Sequence, residues 1–347
     1  MIFNAIGLMS GTSLDGLDIA YCTFQKKDNW TFSIKKASTV EYSEELKQEL
    51  RLSAKLSALD FVKLHKKLGN FIGNEVNKFS EGLNVDFIAS HGHTSIHLPE
   101  ISVNFQLGDG ATIAAITKTP VICDFRSLDI ALKGQGAPLV PIGDKLLFSD
   151  FDSFLNIGGF ANVSFMKQKI LAYDISPANF ALNYYSRKLG FEFDKDGRIG
   201  ESNTSNDKLV EKLDSLFYYS QKSPKSLSDH WFYDVFLKEI EKFELSFETI
   251  ITSLYEHIST QIAKELDKNS AKKCLVTGGG ALNGFLISKI KEKSSAEIII
   301  PDKLLIEYKE ALVFAFLGVL RWIKEPNCLA SVTGAEIDNI GGAVYFV

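Results

Sequence analysis

Twice along this chain an apolar strand runs into a glycine-rich turn and returns as an alternating strand, which narrows the folds open to it. The first copy covers residues 5–21. Its turn is bracketed by Gly11 and Gly16, holds the hydroxyls of Ser10, Thr12 and Ser13 with Leu14 and Asp15, and resumes at Leu17 and Asp18. The second copy starts at 151–157, turns at Gly158 and Gly159, and leaves through 161–165, which includes Asn162. In each copy a third strand follows (31–40 and 169–173) and then a helix. A chain that repeats strand, glycine turn, strand, strand, helix reads as an internally duplicated α/β fold.

With 347 residues, the chain is long enough for two domains. Residues 1–140 with 310–347 are expected to form the first, carrying the first hairpin. Residues 141–309 are expected to form the second. A net charge of −5 and the lack of a basic stripe argue against nucleic acid as the partner. Cys22, Cys123, Cys274 and Cys328 are far apart and form no CxxC pair, which suggests buried, reduced thiols. No basic segment precedes the short N-terminal apolar stretch, so no signal peptide is expected. The longest apolar run, 311–320, is about half the length of a membrane span. The expectation is a cytoplasmic protein with no membrane partner.

Glycines let backbone approach a ligand, and consecutive N–H groups with hydroxyls suit phosphate oxygens. The first turn is not a Walker A loop, because no Lys follows and the next element is a strand. On that run alone a plain tight hairpin remains equally open. A third glycine turn, Thr277-Gly278-Gly279-Gly280-Ala281-Leu282-Asn283, lies between a strand at 273–276 and a helix. It brings backbone close to something flat or anionic at a helix N-terminus. Three such turns at the carboxyl ends of strands, in the order hairpin, hairpin, strand–helix, point to a bound nucleotide.

Four polar constellations remain. Asp174-Ile175-Ser176-Pro177-Ala178-Asn179 closes a strand, and its carboxylate could serve as a general base or could cap the following helix. Ser90-His91-Gly92-His93 with His97 reads HxHxxxH, which fits a polar pocket lining, a structural role, or zinc ligands. Asp124-Phe125-Arg126 with Asp129, followed by Gln135-Gly136-Ala137-Pro138, could orient an anionic ligand through a bidentate Arg or could be a surface ion pair. Glu310 opens an apolar helix, where it suits the dipole or a cleft equally.

Taken together these residues resemble the anhydro-N-acetylmuramic acid kinases. The matches are Gly7 to Ala20 (GLMSGTSLDGLDIA), Ser90-His91-Gly92, QLGD at 106–109, Asp124-Phe125-Arg126, GQGAPLVP at 134–141, NIGGFANV at 156–163, 278–283, and EALVFAFL at 310–317. They run in order over nearly the whole chain. The resemblance implies two duplicated ribonuclease-H-like domains around an ATP cleft, as in the sugar kinase, Hsp70 and actin superfamily, with Mg²⁺ as companion ion.

It further implies that water, ATP and 1,6-anhydro-N-acetylmuramic acid give N-acetylmuramic acid 6-phosphate and ADP during cell-wall recycling. Under it, Gly11 to Asp18, Gly158, Gly159, Asn162, Gly278 to Gly280 and Asn283 hold the nucleotide. Asp174 is the base, with Glu310 as a second catalytic carboxylate. His91, Asp124, Arg126, Gln135, Pro177 and Asn179 line the sugar site. Three segments depart from the family pattern. DTGPGN reads DISPAN at 174–179, SHGQT has His93 for Gln, and PKSxGRE reads PKSLSDH at 224–230. These departures put the sugar in question more than phosphoryl transfer. A kinase for another amino sugar, a nucleotide-gated module of the Hsp70 or actin type, and a zinc hydrolase on His91, His93 and His97 are the competing readings. A homodimer is left open.

Overall fold

The computed structural model describes residues 1–11, 14–167, 170–223 and 225–347. The chain divides into one unit of residues 1–149 with 308–347 and a second unit of residues 150–307. The first unit thus runs past the expected boundary at 140. The helix Val140–Leu147 belongs to it and carries Asp144, whose buried carboxylate pairs with Lys309 of the same unit at 2.7 Å.

In the first unit, β1 (Ile2–Ser10), β2 (Leu17–Lys26) and β3 (Trp30–Val40) form a meander. β4 (Phe87–Leu98) lies parallel to β1 on its other side, β5 (Val103–Leu107) pairs back onto β4, and β6 (Val121–Cys123) runs parallel to β4. The closing strand Ala343–Tyr345 adds an antiparallel edge to β6. In the second unit β7 (Ser153–Ile157), β8 (Phe160–Phe165) and β9 (Leu171–Pro177) form the meander. β10 (Lys273–Thr277) and β11 (Glu297–Ile299) extend it in parallel.

The two sheets share one core order, β3-β2-β1-β4-β6 and β9-β8-β7-β10-β11, with the second strand of each antiparallel to its neighbours. That order, written twice, makes this a duplicated ribonuclease-H-like α/β fold. The duplication visible in the hairpins is therefore real at the level of topology.

Sequence pattern explains the elements. Along the helix Ala58–Ser80, Leu64, Leu68, Ile72, Val76 and Phe79 recur at helical spacing and are buried, and Ser57 caps its start by accepting from Asp60 N. The strands of the second sheet are short and apolar, and Leu155, Ile157, Val163 and Ile175 enter a core shared with the helix Phe247–Lys268.

Several expectations shift. β4 does not stop at residue 89 but continues to Leu98, because Ser10 pairs with His93 and β5 supplies a partner beyond it. β9 does not end at Asp174 but runs three residues further, so Asp174 lies within a strand. The stretch 191–228, expected as loops, holds the helices Asp207–Asp214 and Phe217–Ser220. The helix expected at 230–242 is interrupted by a π-helical segment, Phe232–Phe236. Lys303–Trp322 begins before the expected position and kinks at Tyr308, so Glu310 sits inside it rather than at its start.

That last helix lies tightly on the first sheet. A Cβ on Gly7 would fall 1.9 Å from the Ala311 carbonyl oxygen, and one on Gly318 would fall 2.8 Å from Ala89 Cβ. Gly7→Ala is therefore expected to lower stability by about 1–3 kcal/mol through overpacking, read from the urea midpoint. An unchanged midpoint would show that the helix can lift from the sheet without penalty.

Candidate active site

In the second unit the sheet carries a row of polar residues. Thr277 pairs with Asn156, Asn156 with Asn162, and Asn162 with Asp174, across four adjacent strands. The register slips between Ala161 and Asn162, leaving Ile175 as the extra residue of a β-bulge. Without that slip Asp174 and Ser176 would share a face, by the two-residue period of a strand. With it, Asp174 aligns with Asn162 while Ser176 aligns with Ala161 and is fully buried.

Asp174 does not cap the helix Asn179–Lys188, whose N-cap residue is Ala178 without a side-chain bond. Its Oδ2 accepts instead from Leu227 N at 2.8 Å, and its backbone oxygen accepts from the Tyr218 hydroxyl at 2.7 Å. Partial burial holds its carboxyl above the usual range, and the Leu227 N–H opposes this. A half-buried carboxylate with one oxygen fixed by a backbone amide has the form of a general base.

The glycine turns divide into two kinds. Gly158 and Gly159 offer carbonyls, which accept from the amides of Ala178, Asn179 and Phe180 at 2.8–3.2 Å, so this turn closes the start of the helix Asn179–Lys188. Gly278 has φ +80°, and a Cβ there would lie 2.6 Å from Asn156 Oδ1, while one on Gly280 would lie 2.2 Å from Ile157 Cγ2. Close packing on β7 thus accounts for both of these glycines. Gly279 is different, with only Asn179 Nδ2 near its Cβ position, at 3.7 Å.

Its backbone faces a cavity of about 300 Å³ lined by Asn179, Asp194, Tyr255, Leu282 and Asn283, among others. Asn283 caps the helix Gly284–Lys293 through Leu286 N and donates to the Tyr255 hydroxyl, which in turn donates to Asp194. Asn179, read from sequence with the sugar, lies here with Gly279 and Asn283. Pro177 is buried at the end of β9. Tyr255 and Asp194 were not legible as site residues, since no motif surrounds them, whereas Leu282 lies within the third glycine run.

In the first unit, Thr12 and Ser13 lie outside the described residues. Leu14 N donates to Gly11 O, and Leu14 holds φ +62° with its side chain in the core. A left-handed Leu is strained, and burial of its side chain offsets the strain. A Cβ on Gly16 would meet Val40 O at 2.5 Å. Asp15 is exposed, whereas Leu17 is buried. Ser10 is held by the Tyr42 hydroxyl at 2.7 Å and by His93 Nδ1 at 3.2 Å. Asp18 pairs with Thr39 across the sheet and accepts from its hydroxyl at 2.6 Å.

Glu310 is reached by solvent yet crowded by protein. That crowding, and then the charge of Asp18, hold its carboxyl above the usual range, against Lys309 and Arg126.

Arg126 is fixed rather than paired at the surface. Its Nε and Nη2 donate to His91 Nε2 at 3.1 and 2.8 Å, and Nη1 donates to Gly136 O at 2.6 Å. His91 Nδ1 donates to Gly92 O, so His91 is the neutral Nδ1–H tautomer. Burial, and then the Arg126 charge, push it down to about 3. His93 is occupied by Ser10, and His97 is exposed beside Asn104. The three histidines therefore have separate protein partners. Among the described residues no group of three or more His, Cys, Asp or Glu is placed to hold a metal, and the zinc-hydrolase reading is set aside.

Asp124 is exposed and binds Ser127. Asp129 is fully buried and accepts from Gly136 N, Cys328, Thr333 and Asn339, tying the loop at 134–138 to the C-terminal segment. Gln135 is exposed on that loop.

A duplicated ribonuclease-H-like fold with a half-buried, amide-anchored carboxylate at Asp174 fits a phosphotransferase. The sequence profile of the anhydro-N-acetylmuramic acid kinase family matches residues 3–347, and the chain belongs to that family. It is a kinase that transfers phosphate to a sugar hydroxyl. A curated relative from Sulfurimonas denitrificans, named anhydro-N-acetylmuramic acid kinase, is 32% identical, covering 98% of each chain. One of the same name from Clostridioides difficile is 34% identical, covering 96% of this chain and 95% of its own. Among solved structures, component A of (R)-2-hydroxyglutaryl-CoA dehydratase from Acidaminococcus fermentans is similar at a TM-score of 0.45 and 13% identity, covering 90% of this chain and 96% of that one. Among the described residues no helix is long and apolar enough to cross a membrane.

Asp129→Ala is expected to destabilise the protein by about 3 kcal/mol or more, because several buried donors lose their acceptor at once. The melting temperature should fall and ATP-dependent activity with it. A wild-type melting temperature would mean the loop at 134–138 is held by other contacts.

Proposed function

We propose that the protein opens 1,6-anhydro-N-acetylmuramic acid with water and phosphorylates its O6 at the expense of ATP, giving N-acetylmuramic acid 6-phosphate and ADP. The observation that carries this is Asp174, with Oδ2 anchored on Leu227 N–H, Oδ1 left without a hydrogen-bond partner among the described residues, and its carboxyl held high. Family membership and the names of the relatives supply the substrate. Water attacks the anomeric carbon and its proton passes to Asp174. The bond from C1 to O6 breaks, and O6 takes the γ-phosphoryl group while ADP leaves. The reaction adds one water and one phosphoryl group to the sugar. It is the chemistry of cytoplasmic peptidoglycan recycling, where an anhydro sugar must be rehydrated before reuse.

The turn from Gly11 to Asp18, with Gly158, Gly159 and Asn162, is assigned to the phosphates, and the cavity beside Gly279 and Asn283 to the nucleoside. Its volume lies at the lower end of small-ligand sites. Arg126, positioned by His91, is assigned to the sugar's lactyl carboxylate, with Asp124 and Gln135 at the rim. Asp18 and Glu310 fit a hard cation. Each is an oxygen donor, and the charge of Asp18 already raises the Glu310 carboxyl, a repulsion that a divalent ion relieves. Mg²⁺ held there would neutralise phosphate charge.

With ATP, Mg²⁺ and the anhydro sugar, ADP release should match formation of a product heavier by one phosphoryl group and one water. ADP release without that product, or only with a free amino sugar, overturns the substrate assignment. Asp174→Asn should lower turnover by about 10²–10⁴-fold with ATP affinity nearly unchanged. Since the base works only when deprotonated and its carboxyl is held high, the acid limb of the rate profile should lie above the ordinary carboxylate range. Near-wild-type turnover of the Asn variant would move the base to Glu310.

A further inference from the structure

We propose that Tyr218, Tyr219 and Lys225 form a clamp that positions Asp174, and that the clamp is set by buried polar links to the helix Phe247–Lys268. This deepens the reading of Asp174 as the base and rests on it. Tyr218, Lys225 and Leu227 hold Asp174 through three separate groups. The Tyr218 hydroxyl donates to its carbonyl at 2.7 Å, its own N–H donates to Lys225 O at 3.3 Å, and Leu227 N–H donates to its carboxylate at 2.8 Å.

Two links fix this segment to the long helix. The Tyr219 hydroxyl lies 2.8 Å from Nε2 of the fully buried His257, whose Nδ1 lies 2.5 Å from Asp214 Oδ1. Burial keeps His257 neutral, so Nδ1–H faces the carboxylate and Nε2 accepts the tyrosine proton. Ser176, two residues beyond Asp174 and on the other side of the bulge, donates its hydroxyl to Pro177 O at 2.8 Å. In the second link, Lys225 Nζ lies 3.5 Å from Glu265 Oε1, while Glu265 Oε2 accepts from Tyr173 beside Asp174.

The second link also reaches Tyr173, next to Asp174 in β9, so the strand and the residues that grip it are held to one helix. Ser176 is one of the departures from the family pattern within 174–179, whereas Lys225 keeps the lysine of that pattern. Phe at 219 fills the same volume but leaves the buried His257 Nε2 without its donor, so a loss of stability is expected as well and is read separately from kcat.

The test is a mutant cycle on the full chain, with Tyr219→Phe, Lys225→Met and Asp174→Asn, singly and combined, measured for kcat, KM for ATP and melting temperature. Small displacements of a catalytic group cost up to about 10²-fold. Tyr219→Phe and Lys225→Met are therefore expected to lower kcat by about 10-fold or more, with KM for ATP within about twofold. In the Asp174→Asn background neither should lower kcat further, because the clamp acts only through that carboxylate. His257→Gln, which keeps a polar partner for Tyr219, should retain more kcat than His257→Phe. If Asp174→Asn is inactive while Tyr219→Phe and Lys225→Met turn over normally, or lose activity equally in the Asn background, the clamp is wrong and the base reading stands. If Asp174→Asn is itself near wild type, the base reading fails first.

Discussion

The missing side chain at Gly7 sets the height of the helix Lys303–Trp322 above the first sheet. The Ala311 carbonyl occupies the space a Cβ would need, and Gly318 repeats the contact against Ala89 further along. Interiors are close-packed, so a displacement of an ångström at this contact would move everything the helix carries. Glu310 precedes Ala311 by one residue, and the charge of Asp18 reaches it from β2. Lys309 is held down by Asp144. Two carboxylates and a buried ion pair are thereby placed by a contact between backbone atoms.

In the second unit the corresponding device is the bulge at Ile175. It sends Asp174 and Ser176 to opposite faces, one toward the polar row of Thr277, Asn156 and Asn162, the other into the core. β9 is the edge strand of its sheet, where Lys225 and Tyr218 bond the Asp174 backbone and Leu227 bonds its carboxylate.

The glycines teach a more general lesson. Gly278 and Gly280 are glycines because β7 presses on them, and Gly16 because β3 does. Only Gly279 has backbone open to the cavity. A glycine-rich run therefore marks close approach, and whether the close partner is a ligand or another strand must be read from the fold. The same holds for His91, which sequence places in a pocket and the structure shows holding Arg126.

Local pattern was enough for the duplication, because each hairpin is specified within about twenty residues by alternating apolar positions and a glycine turn. The segments that carry Asp174 and the glycine turns are contiguous runs and so stood out, while what each of them faces was not encoded locally. The strand ends of β4 and β9 were beyond it, because pairing partners such as β5 decide where a ladder stops. So were the bulge at Ile175, the cavity residues Tyr255 and Asp194, the Asp129 hub that reaches from 129 to 339, and the Lys309–Asp144 pair. Each joins residues far apart in the chain, and such contacts follow from packing and register, which no local spacing encodes.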